Sequence, residues 1–151
     1  MQTEFNANRD QLIEGMVTPY SVTEKITLIP TETIGFGKAV KRGTVEGTGS
    51  NLAVDGTTDT VVGISVHRHL TDDGYLEGNE MGVLTKGSIA VSVLDGVTVA
   101  AGEEAFVVVD TGATFGKFTN VAGANTASTG GFFQSAKKND NLAIVKINIV
   151  A

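Results

Sequence analysis

The stretch KGSIAVSVLDGVTVAAGEEAFVVVDTG at residues 86–112 constrains the fold more than any other part of the chain. It is crowded with valine and cut by Gly96, Gly102 and Gly112. Branched side chains lose rotamer freedom in a helix and pack well on a pleated surface, so the segment is built for strands. Ile89, Val91 and Val93 alternate with Ala90, Ser92 and Leu94, which gives a strand one wholly apolar face to lay on a core. Asp95-Gly96 reads as a tight turn, Val97 and Val99 as the start of a return strand, and AFVVVD at 105–110 as a third strand. The segment therefore predicts a meander and holds almost nothing that does chemistry.

The rest of the chain repeats this pattern. ITLI at 26–29, GKAVKRG at 37–43 and VVGISVH at 61–67 are short and mostly apolar or β-branched, and LAIVKINIV at 142–150 alternates Val145, Ile147 and Ile149 with Ile144, Lys146 and Asn148. TVEGTGSNLAVDGTTDT at 44–60 lacks either periodicity and reads as a hairpin connection or long loop. Nineteen glycines against two prolines supply tight turns between short elements. At 151 residues the chain is one domain in size. The expectation is an all-β fold, a single β-sandwich or jelly-roll-like domain over 26–151, preceded by an extended arm over 1–25. Within that arm, Asn8 and Gln11 are placed to cap a short helix, which Gly15 and Pro19 keep to a turn or two.

Charge and cysteine usage narrow the partners. A net charge of −6 and a pI near 4.8 oppose binding to nucleic acid or an anionic membrane. With no cysteine, neither a disulfide nor a thiolate site is available. The N-terminus lacks the basic and apolar regions of a signal peptide, so synthesis in the cytoplasm is expected.

The motifs that resemble chemistry fall short of it. Gly35-Phe36-Gly37 starts like a dinucleotide fingerprint, but Val40 takes the third glycine position and no helix-forming stretch follows. Gly112 to Phe118 resembles a phosphate loop with one residue too few between its glycines, and Phe118 stands where a magnesium-binding hydroxyl belongs. His67 and His69 share one face of a strand at a spacing that suits a metal, with Asp72 or Asp73 as a third ligand; an exposed strand end is the commoner meaning of that pattern. TDDGYLEGNE at 71–80 misses the calcium-loop spacing and reads as a solvated acidic hairpin. No catalytic residue, cofactor or metal is expected.

Taken in order, IGFGKAVKRG at 34–43, VVGISVH at 61–67, DGYLEGNEMGVLTKGSIAVSV at 73–93, VTVAAGEEAFV at 97–107 and FFQSAKKNDNLAIVKI at 132–147 resemble the structural cement proteins that decorate tailed-bacteriophage heads. The likeness lies in the order and spacing of the blocks. The stretch before Ile34 and NVAGANTASTGG at 120–131 depart from the pattern.

This resemblance implies a non-enzymatic β-sandwich on the outer surface of the mature capsid, bridging major capsid protein subunits as a homo-oligomeric dimer or trimer, with no small-molecule substrate. Contact residues are expected in the arm, where Phe5, Leu12, Ile13, Met16 and Tyr20 are apolar without belonging to a strand pattern. Packing of Leu12 and Ile13 into the core is the competing explanation. The residues alone leave a second role open, a tail or fibre β-module that binds a host-surface glycan, although tryptophan is absent and aromatics are only 6% of the chain. A carrier domain is a further alternative, but the hairpin tip at Asp95-Gly96 lacks the lysine it would modify; a hydrolase lacks a nucleophile and base.

Overall fold

A computed structural model describes residues 13–18, 22–68, 74–138 and 141–149. Among these residues the chain is all-β, as expected, with eleven strands: β1 (Glu24–Pro30), β2 (Ile34–Gly35), β3 (Ala39–Arg42), β4 (Thr48–Asn51), β5 (Gly63–Ser65), β6 (Gly74–Tyr75), β7 (Met81–Ser92), β8 (Glu104–Val108), β9 (Phe118–Thr119), β10 (Thr126–Phe133) and β11 (Leu142–Asn148). Nine of them form one mixed sheet in the order β1-β4-β3-β5-β7-β11-β10-β8-β9, and β2 pairs with β6 apart from it.

The sheet curls on itself twice around β7. In the first half of β7, Val83 and Leu84 pair with Ile26 and Lys25 of β1 on one edge and with Ser65 and Ile64 of β5 on the other. Because β1 also pairs with β4, β4 with β3 and β3 with β5, the five strands close into a ring. Leu28, Ile34, Phe36, Val40, Tyr75, Met81 and Val83 form the core of this half. The second half of β7 pairs with β11 from Ser92 to Lys86, and β11, β10, β8 and β9 follow in turn. A bridge between Val93 and Phe118, with Leu94 N–H donating to the Phe118 carbonyl at 2.8 Å, brings β9 back to the end of β7. Ile89, Val91, Val93, Val107, Phe118, Phe133, Val145 and Ile147 are among the residues that fill this larger core.

Where the halves meet, strands are buried on both faces, which gives the domain its sandwich-like layering. Val40 and Val83 face the first core while Ala39, Ile64 and Leu84 face the second. This accounts for Val61 to Ser65, five consecutive buried residues in a stretch whose central strand is β5. A strand covered on both sides has no solvent face on which to place a polar residue. Gly63 leaves no room for a side chain there: an added Cβ would lie 2.4 Å from the Leu84 carbonyl oxygen and 2.4 Å from Val83 Cγ1.

Three local expectations are corrected. Residues 97–100 form no strand, and β7 and β8 do not pair, so the meander over 86–110 is absent. Val99 is buried in the second core without joining a ladder, because both edges of β7 are already taken by β11, by residues 15–18 and, at its end, by β9. The 44–60 connection contains β4, parallel to β1 through Ile29↔Thr48 and Pro30↔Gly49. Its Gly49 carries no side-chain signal because Leu28 and Met81 occupy that space, at 3.0 and 3.3 Å from where a Cβ would stand. Finally, residues 13–16 hold one turn, closed by Met16 N–H to the Ile13 carbonyl at 2.9 Å, and then join a β-bridge rather than a helix; the start of the proposed helix lies outside the described residues.

Truncating the shared wall should loosen both halves together. Leu84→Ala is expected to cost about 2–5 kcal/mol and Gly63→Ala about 1–3 kcal/mol, each as one cooperative urea transition. Two separate transitions would show that the halves unfold independently.

Candidate docking surfaces

The N-terminal segment is tied to the body before it can serve as an arm. Gly15 N–H donates to the Ala90 carbonyl at 2.7 Å, Ala90 N–H to Met16 at 2.9 Å and Thr18 N–H to Ser88 at 3.0 Å, so residues 15–18 line the edge of β7 that β11 leaves open. His67 N–H donates to the Gly15 carbonyl at 2.8 Å, and Lys38 Nζ meets Glu14 Oε2 at 3.1 Å. The close approach needs two glycines in the left-handed region, Gly15 at φ +84° and Gly37 at φ +70°. A Cβ on Gly15 would stand 2.9 Å from Gly37 N, and one on Gly37 would stand 2.9 Å from Gly15 N. Gly37, read from sequence as part of a failed fingerprint, is therefore a packing requirement for the strap.

Of the five contact residues expected in the arm, the structure places two. Ile13 is 50% exposed at the turn that leads into residues 15–18, and Met16 is half-buried. Phe5, Leu12 and Tyr20 lie outside the described residues.

The motifs of chemical interest resolve into structure. His67 packs its ring on Phe36 at a centroid distance of 4.7 Å, and His69, Asp72 and Asp73 lie outside the described residues. Among the described residues, no three histidines or carboxylates gather as a metal site. Gly112 to Lys117 is a surface turn held by Gly116 N–H to the Val108 carbonyl at 2.9 Å. Tyr75 is buried with its hydroxyl donating to the Val66 carbonyl at 2.6 Å and its ring edge-on to Phe36. Burial pushes its hydroxyl above the ordinary 10.0, against smaller downward pulls from the Gly82 backbone and the Arg68 charge.

One exposed apolar rim and one exposed aromatic ring on the body were missed in the sequence. The rim lies at the end of β1, where Ile29, Val45 and Leu76 are 45%, 65% and 45% exposed. Ile29 N–H donates to Gly47 at 2.9 Å and Gly78 N–H to Pro30 at 3.0 Å, which draws the β3–β4 and β6–β7 turns to this end. Glu32, Glu46, Glu77 and Glu80 are exposed around it. The ring lies on the outer face of β10 and β11, where Phe132 is 53% exposed between Glu104 of β8 and Lys146 of β11. The adjacent pair Phe132-Phe133 held the signal, since strand alternation sends one ring outward whenever the other is buried.

Among the described residues the surface thus offers apolar and charged points of contact. Residues 1–148 match the family model described as structural cement protein (E217 gp24/Pam3 gp6). The chain belongs to this family and is a structural cement protein of the phage capsid. Among solved structures, the fold is similar to a chain from the capsid of Myoviridae phage XM1, with a TM-score of 0.79, 21% identity, and coverage of 92% of this chain and 91% of that one. None of the curated proteins matches the sequence.

Two outcomes test the local readings. Gly37→Ala is expected to lift residues 15–18 from β7, seen as faster hydrogen exchange at the Ala90 amide while the amides paired to β11 stay protected. Because its folded pKa is raised, Tyr75 contributes stability fully present below pH 10 and lost as pH rises through the folded value. Alkaline melting curves should show that loss, and Tyr75→Phe should remove its contribution.

Proposed function

We propose that this protein cements the phage head from outside, by binding the outer surface of the mature shell and bridging neighbouring major capsid protein subunits. The family match across residues 1–148 carries this reading. The physical character of the chain supports it. A domain with net charge −6 is repelled by packaged DNA, which favours the exterior over the lumen. A doubly closed, valine-rich body offers a rigid clamp, and a rigid partner orders little on binding.

Stabilisation follows from linkage. A protein that binds only the assembled, expanded lattice adds RT ln(1 + [L]/Kd) per site, about 1.4 kcal/mol at ten times Kd. Repeated over the many sites of a shell, this opposes the outward pressure of packed DNA. A homo-oligomer, dimer or trimer, multiplies the effect through avidity. In this reading Phe5, Leu12, Ile13, Met16 and Tyr20 of the N-terminal segment supply contacts to the shell. A glycan-binding tail module is less favoured, because Phe132 is the one large aromatic exposed among the described residues.

Co-sedimentation with expanded, empty capsids tests the reading: the full chain should pellet with them and raise their melting temperature. Deleting residues 1–12, which spares the hydrogen bonds of Gly15 to Thr18, should abolish pelleting without lowering the melting temperature of the free protein. Undiminished pelleting would place the contact on the body, and no pelleting by the full chain would remove the cement role proposed here.

A further inference from the structure

One edge of β1 is left open where β4 turns away. Ile29 N–H donates to the Gly47 carbonyl at 2.9 Å and Thr31 N–H to the Gly49 carbonyl at 3.0 Å, so these residues turn their backbone groups toward β4. Successive residues of a strand turn their backbone groups to alternate edges, so Lys25 and Thr27 direct theirs to the same edge as Ile29. The other side of the ladder agrees. Gly82, which pairs with Thr27, accepts Val66 N–H at its carbonyl at 3.0 Å, away from β1. Thr27 and Gly82 are therefore a pair without mutual hydrogen bonds, and the bonded pairs are those of Ile26 with Val83 and Leu28 with Met81. β4 does not reach Lys25 and Thr27, because the chain folds back through a turn closed by Thr48 N–H to the Val45 carbonyl at 3.2 Å. Among the described residues nothing else bonds the outward N–H and C=O groups of Lys25 and Thr27, and both residues are exposed.

An open edge of this kind accepts an extended strand, and the same edge of a second copy meets it about a twofold axis. The residues around it select the register. Centred on Lys25, the pairing sets the two lysines directly opposite each other, which destabilises it. Centred on Thr27, it needs the partner's Lys25 to bond at Ile29, whose N–H is already held by Gly47. Centred on Ile26, it joins Lys25 to the partner's Thr27 and Thr27 to the partner's Lys25, each pair exchanging both N–H···O bonds. The half-buried Ile26 then stands opposite the partner's Ile26, and the two lysines lie diagonal to one another. Past Glu24 the incoming strand must bend away from Gly47. Val22, 70% exposed, follows at that point, and Val45, 65% exposed, lies in the turn it meets.

We propose that two copies of this chain join edge to edge through residues 24–28 of β1, antiparallel about a twofold axis at Ile26. The sheet then runs without a break from β7 of one molecule, through both β1 strands, to β7 of the other. A rigid, preformed edge loses little freedom on pairing. This rests on the cement reading for its setting, since a twofold pair presents two docking surfaces to neighbouring subunits of the shell. The pairing itself is a property of the free protein.

Hydrogen exchange on the full chain tests the edge, because the Lys25 and Thr27 amides are open in a single copy. Both should exchange more slowly as protein concentration rises, in step with dimer formation seen by sedimentation velocity. The Ile26 amide, bonded to β7, should stay protected at every concentration. Thr27→Pro removes the outward N–H and no bond to β7, a change that edge positions accept. It should weaken dimerisation on the order of tenfold or more, whereas Thr27→Val should dimerise as the wild type does. The chain has no cysteine, so single cysteines read the register. Under mild oxidation Ile26→Cys should form a disulfide dimer faster than Lys25→Cys or Thr27→Cys, and melting curves verify folding of every variant. A monomeric wild type, a folded Thr27→Pro that dimerises undiminished, or fastest cross-linking at position 25 or 27 would overturn the proposal. So would amides that gain protection only on capsids, since the edge would then hold a strand of the shell. Capsid pelleting separates the two readings. A monomeric Thr27→Pro that still pellets leaves the cement reading standing, whereas a wild type that dimerises by this edge and never pellets removes that reading and keeps the pairing.

Discussion

Both edges of β7 carry hydrogen-bonded partners for nearly its whole length, and the rest of the domain is arranged around that constraint. At 12 residues it is the longest strand among those described, about 40 Å end to end. Its first half closes one ring with β1 and β5, and its second half anchors β11 while residues 15–18 and Phe118 occupy the other edge. An exposed strand edge invites further pairing, so a strand used on both sides is both rigid and protected from aggregation. With its middle strand shared, neither half has a complete wall without the other.

The same constraint explains why the N-terminal strap belongs to the body. Without residues 15–18, the backbone groups of Ser88 and Ala90 on the edge away from β11 would lose their partners. The strap is held by backbone hydrogen bonds, two close-packed glycines and the Glu14–Lys38 pair. The ion pair is partly solvated and adds little by itself, whereas the glycine contact admits no larger residue without displacement.

Much of the fold was legible in the sequence because strand periodicity is local. The alternation in 89–94 and 142–148 and the short branched runs at 26–29 and 61–65 are β7, β11, β1 and β5. What escaped was set by neighbours distant in sequence. Thr48 to Asn51 has no apolar alternation, yet it is a strand because β1 and β3 flank it; Thr126 to Gly131 is a strand because β8 lies beside it. Val97 and Val99 look like a returning strand but are plugs in a core, since no free edge remained for them. Among site residues, Ile13 and Met16 were chosen as apolar residues outside a strand pattern and fall in the turn and strap beside β7, whereas the rim of Ile29, Val45 and Leu76 is assembled from three separate stretches and has no linear signature.

By itself the sequence determined the all-β class, the poverty of catalytic groups and the acidic character, and the order of its blocks pointed to the cement family. These properties reside in residue type and short-range periodicity, which the chain carries whether folded or not. Only the tertiary structure decided that one strand serves two cores, that the strap fills an edge of β7, and that Ile29, Val45 and Leu76 meet at one rim. Each of those depends on which distant segments share a hydrogen-bonding edge, and pairing partners are chosen by long-range burial, not by any residue's local preference.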